Sequence, residues 1–69
     1  MPSIAERRER AQRHVEWGRL VIAWQKQLIE KLTAEGRDTT AADQLLAVFE
    51  RTQKVFEHDL AYLEKASLN

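Results

Sequence analysis

The chain has no cysteine, a single proline, only two glycines and a formal net charge of zero over 69 residues, and each shortage removes a class of protein. Without cysteine there is no disulfide framework and no thiolate metal site, and two histidines alone do not hold a structural zinc. Eleven basic residues balance eleven acidic ones, so the molecule as a whole is not drawn to nucleic acid or to an anionic membrane, and any basic effect has to be local. No apolar run is longer than that from Leu20 to Trp24, far short of the roughly 20 residues that span a bilayer, and the amino terminus lacks the apolar core of a signal peptide. A cytoplasmic protein without membrane contact is the expectation. Glycine scarcity excludes a phosphate-cradling loop, and no serine or cysteine stands near a histidine, so neither an enzyme nor a cofactor is expected.

What the chain does have is helix-forming sequence, punctuated once. Ser3 followed by Glu6 matches a capping box, in which the serine oxygen takes a free amide at the helix start. Beyond Pro2 the only interior breaker is Gly18, and Ala, Glu, Arg, Gln, Lys and Leu dominate, so a first helix is predicted over residues 3–35. Gly36 supplies a left-handed stop, Arg37 and Asp38 form the connection, and Thr39 or Thr40 caps a second helix over residues 40–66, with Asp43 as a weaker partner for Thr40. So short a connection folds the second helix back antiparallel. The fold class is therefore all-α, one helical-hairpin domain over residues 1–69. From their lengths, the Arg-rich start of the first helix is expected to project past the end of the second.

The apolar surface is broader than one hairpin can cover. Between Val15 and Leu32 the apolar residues occupy an arc of roughly 220° on a helical wheel. One seam, Ile4, Ala11, Val15, Gly18, Ile22, Gln25, Ile29 and Leu32, follows a heptad alternation and suits the partner helix of the same chain, with Gly18 allowing close approach. The second helix answers with Leu45, Phe49, Thr52, Phe56, Leu60 and Leu63, flanked by Ala42 and Leu46 on one side and Val48, Val55, Tyr62 and Ala66 on the other. A second seam on the first helix, Trp17, Leu20, Val21, Trp24 and Leu28, is left over. Two seams side by side are what a four-helix bundle demands, so the hairpin is expected to dimerise into one, with these five residues at the contact. Chains of this size bury only about 60% of their unfolded surface, and with no disulfide or metal, oligomerisation is the remaining remedy. Trp17 and Trp24 are read as interface anchors rather than as a ligand platform.

The polar residues admit narrower readings. Gln25 falls within the apolar arc. It either bonds Gln53 or Thr52 across the hairpin and sets register, or lies at the edge between the two seams with its amide in water. His14 and His58 lie at similar levels from the turn beside Glu57 and Asp59, but a helical di-iron pattern needs a glutamate three residues before each histidine, where Ala11 and Val55 stand. No metal is expected, and a packed or carboxylate-capped histidine is the reading. Arg7, Arg8, Arg10 and Arg13 form the one basic cluster. They are candidate phosphate contacts for a small RNA- or DNA-binding regulator, tempered by the helical pairs Glu6 with Arg10 and Glu9 with Arg13. A third possibility is a hetero-bundle in which the spare seam receives a helix of another protein.

Arg13-His14-Val15 with Gly18, Ile22, Gln25, Leu28-Ile29 and Leu32, then Gly36, Asp38-Thr39, Leu45-Leu46-Ala47 and Phe49-Glu50, resembles a group of short uncharacterised bacterial proteins expected to form helical hairpins. The resemblance implies the hairpin and no activity, and the group is more polar where this chain has Trp17, Leu20, Val21 and Trp24. In architecture alone the expected dimer is also similar to the plasmid regulator Rop, a four-helix bundle that binds paired RNA loops, although no residue motif is shared.

Overall fold

Helix formation begins where the Ser3 hydroxyl oxygen accepts the Glu6 amide at 3.1 Å, satisfying one of the amides that a helix start leaves free. The computed structural model describes residues 1–68 and contains two helices, α1 (Ile4–Ala34) and α2 (Thr40–Ser67), packed antiparallel along their length with no strand among the described residues. The protein is an all-α hairpin. No helix among the described residues is long and apolar enough to cross a membrane.

The turn is built by backbone chemistry. Gly36 adopts φ 71°, the left-handed conformation, and this lets Arg37 N–H donate to Leu32 O at 2.9 Å and Gly36 N–H donate to Thr33 O at 3.0 Å. These two bonds take up carbonyls that the end of α1 would otherwise leave unpaired. At the start of α2 the capping side chain is neither threonine. Asp38 Oδ1 accepts the Thr40 amide at 3.0 Å and the Thr40 hydroxyl at 2.7 Å, while the Thr39 hydroxyl donates to Asp43 Oδ2 at 2.9 Å. A carboxylate takes the first amide of α2 more strongly than a hydroxyl does, because it is charged and sits at the positive end of the helix dipole.

The seam of α1 runs through Ala11, Val15, Gly18, Ile22, Gln25, Ile29 and Leu32, all buried or half-buried, at alternating spacings of three and four. Ile4, at 42% exposure, lies outside it. On α2 the seam runs through Ala42, Leu46, Phe49, Gln53, Phe56, Leu60 and Leu63. Leu46 and Gln53 therefore stand where the spacing favours Leu45 and Thr52, both of which are exposed. Two alternations of the same period interlock in coiled-coil fashion, which fixes one side of each helix inward. With a and d as the seam positions, Leu45 and Thr52 sit at g, one residue ahead of the inward positions.

The open end of the hairpin also differs from expectation. Arg8 Nη1 donates to the Ser67 hydroxyl at 3.1 Å, and the register that sets Gly18 against Gln53 and Arg10 beside the Asp59–Tyr62 turn brings the end of α2 level with the start of α1, so the arginine-rich segment does not project. The helices have similar lengths, 31 and 28 residues, and the five-residue connection lets α2 fold back far enough to close the gap. The result is a slab whose Cα envelope measures 53 × 19 × 14 Å. No side chain among the described residues is fully enclosed, and the buried set is confined to Ala11, Val15 and Leu63 with two glutamines, Gln25 and Gln53.

Candidate self-association surface

Heptad positions decide which residues share a side of the slab. In an antiparallel pair the g positions of both helices border the same edge of the seam, and the c positions lie next to them. On α1 those positions hold His14, Val21 and Leu28 at g, with Arg10, Trp17 and Trp24 at c. On α2 they hold Leu45, Thr52 and Asp59 at g, with Val48, Val55 and Tyr62 at c. Three grooves follow this edge from end to end. One of about 290 Å³ is lined by Arg7, Arg10, His14, Phe56, Asp59 and Tyr62 among others, one of about 110 Å³ by Trp17, Val21, Thr52 and Phe56 around Gly18, and one at the turn by Leu28, Leu32, Ala41 and Leu45. The opposite edge holds Gln12, Arg19 and Lys26 on α1 against Asp43, Glu50, Glu57 and Glu64 on α2. One broad side is apolar and the other is charged.

The apolar side is open to solvent in the single chain. Trp17 is 58% exposed, Trp24 53%, Val55 58% and Tyr62 66%, with Leu28, Leu45 and Val48 at lower but comparable values, whereas Leu20, also exposed, sits at an outward position off this side. Val21 is half-buried. Trp17 and Trp24 meet edge to face, ring centroids 5.6 Å apart and planes 88° apart, an arrangement that sets the positive edge of one indole against the negative face of the other. The contribution of α2 to this side is the part that helical periodicity ranks only as a flank. Its signal is the seven-residue repeat of Val48, Val55 and Tyr62, which matches that of Arg10, Trp17 and Trp24.

The two glutamines do not bond each other. Gln25 Nε2 donates to Ala42 O at 2.9 Å, and Gln53 Nε2 donates to Val15 O at 2.9 Å. The residue level with Gln25 lies near the start of α2, roughly two turns from Gln53, so their amides are out of reach and each takes a backbone carbonyl of the facing helix. Thr52 is exposed and has no part in this. Gln53 Oε1 is buried without a hydrogen-bond partner and rests against Gly18, where a β-carbon would collide with it and lie 2.7 Å from Cδ. Gly18 thus makes the space that the Gln53 amide fills.

The remaining singled-out residues separate. The His14 ring packs on Phe56 with centroids 5.0 Å apart, while His58 is exposed at an outward position. Among the described residues no group of three or more His, Asp or Glu side chains is gathered in a way that could hold a metal. Arg8 is taken by Ser67, Arg7 and Arg10 share a groove with Asp59, and Arg13 is exposed. The hydroxyl of Thr40, and then its amide, hold the Asp38 carboxyl below its ordinary value of 3.8.

The chain matches no protein-family model, no curated protein and no solved structure. Of the expected resemblance to short bacterial hairpin proteins, the helical hairpin alone is found.

Proposed function

We propose that this protein is a non-enzymatic helical-hairpin module that binds a second copy of itself, forming a four-helix bundle through the side carrying Trp17, Val21, Trp24 and Leu28 on α1 and Leu45, Val48, Val55 and Tyr62 on α2. The observation that carries this reading is a contiguous apolar tract on a hairpin that, among the described residues, encloses no side chain completely. Scattered exposed apolar residues are ordinary on a soluble protein, but a contiguous tract containing two tryptophans marks a contact surface. The size is also right. The whole side, 53 Å by 19 Å, bounds the contact at roughly 1,000 Å² per copy, room for the roughly 800 Å² per partner that a stable complex buries.

Support for nucleic-acid binding is weaker, because Arg8 is bonded within the chain and Arg7 and Arg10 lie beside Asp59. Sedimentation of the wild-type chain and of Trp24→Glu tests the proposal. The wild type is expected at twice the chain mass of 8.1 kDa, and the variant, which puts a charge into the centre of the contact, at the single-chain mass. A wild-type monomer at high concentration, or a variant with undiminished mass, overturns it.

A further inference from the structure

The geometry points to a specific pairing, resting on the self-association just proposed: two copies join with their turns at the same end, so that α1 of each lies on α2 of the other. Two arrangements let a two-fold axis lie in the plane of contact. With the axis along the helices, turns coincide and α1 meets the partner's α2. With the axis across the helices, turns are at opposite ends and like helices meet, α1 on α1 and α2 on α2.

Levels along the hairpin distinguish them. The bonds from Gln53 to Val15 and from Gln25 to Ala42, together with His14 on Phe56, set Trp17 level with Thr52 to Val55, and Trp24 level with Leu45 to Val48. An axis along the helices therefore lays each indole over a β-branched or small neighbour of the other copy, Trp17 over Val55 and Thr52, Trp24 over Val48. Each indole thus falls opposite a β-branched residue of the other copy, with Leu45 beside Trp24, which is how large and small side chains interdigitate at interior density. An axis across the helices, centred on the aromatic tract, brings Trp17 onto the partner's Trp24 on one half and Val48 onto the partner's Val55 on the other. One pair of helices is then wedged apart while the other is left under-filled.

Charge gives the same answer. Arg10 is level with Asp59 and Tyr62, and these residues already border one groove. With turns together, Arg10 of each copy meets the Asp59 level of the other, a pairing of opposite sign. With turns opposed, Arg10 meets the level of Lys31, a pairing of like sign at the edge of an apolar contact. Volume and charge are independent properties of the sequence, and both select the same axis.

The absence of native cysteine makes the test direct. Ala34→Cys at the turn end and Lys65→Cys at the open end both sit at outward positions away from the apolar side, and each is spin-labelled in the full chain for dipolar distance measurement. With turns together, each label lies across a bundle from its copy, at about 20–30 Å for both sites. With turns opposed, each pair is separated along the bundle by about 40 Å or more. Sedimentation of the same labelled samples keeps the two proposals apart. A dimeric mass with both distances short supports the pairing, and a dimeric mass with both distances long overturns it while leaving self-association intact. A monomeric mass overturns self-association and the pairing with it.

Discussion

Gln53 is a large polar residue in the middle of a helical seam, with one half of its amide bonded to Val15 and the other half facing Gly18. A buried acceptor without a partner is costly, so the contact has to be judged by what the neighbouring residue allows. Gly18 in a helix interior costs about 1 kcal/mol relative to alanine through backbone entropy. That cost is offset by the room it leaves for the amide. The two positions are therefore coupled, and the coupling predicts a change of sign. In the wild type, Gly18→Ala displaces the Gln53 amide from Val15 O while it stays buried, and is expected to destabilise by about 1 kcal/mol after the gain in helix propensity. In a Gln53→Ala background the obstruction is gone, and the same substitution is expected to stabilise by about 1 kcal/mol. Urea unfolding of the four proteins at one concentration measures this, and an effect of the same sign in both backgrounds contradicts it.

At the scale of the element, the turn joins two helices whose ends are satisfied by different means. α1 is closed by its own backbone once Gly36 takes a positive φ, and α2 is opened by the Asp38 carboxylate. Only the second device titrates. The Asp38 carboxyl lies below its ordinary 3.8 in the folded protein because the Thr40 hydroxyl and amide bond its ionised form. Its contribution is therefore complete above the ordinary carboxylate range and is lost as pH falls below 3.8 through the folded value. The expected outcome is a wild type that resists urea better than Asp38→Ala at neutral pH, with the gap narrowing in strong acid. A gap that stays constant across that range would show that the carboxylate's charge is not what caps α2.

At the scale of the molecule, the hairpin has an apolar side and a charged side and no dry interior. A lone hairpin of this kind has little to set against the entropy of ordering its chain. If a second copy covers the apolar side, folding and association are one equilibrium, and stability follows protein concentration by mass action. Each tenfold increase in concentration is expected to add about 1.4 kcal/mol to the stability of the folded dimer, read as a rising melting temperature. A melting temperature independent of concentration contradicts this coupling.

Much of this architecture is legible in the residues alone. The helix start at Ser3, the stop at Gly36, the antiparallel return and the α1 seam from Ala11 to Leu32 follow from local rules, because capping, left-handed glycine and a 3.6-residue period act within a few residues of one another. The choice of Leu46 over Leu45 and of Gln53 over Thr52 needs the facing helix. On the α2 wheel the apolar arc is wide enough to be centred at either place, and hydropathy ranks threonine above glutamine. Gly18 reverses that ranking by opening a space shaped for an amide, and Val15 supplies the carbonyl to bond it. The partners of Gln25 and Arg8 are likewise set by how far α2 slides along α1, a displacement that local preferences do not encode. Short-range chemistry specified the elements. Which side of each helix turns inward, and so which apolar residues remain outside together, was settled when the two surfaces met, because interlocking side chains admit one rotation and one offset at close packing.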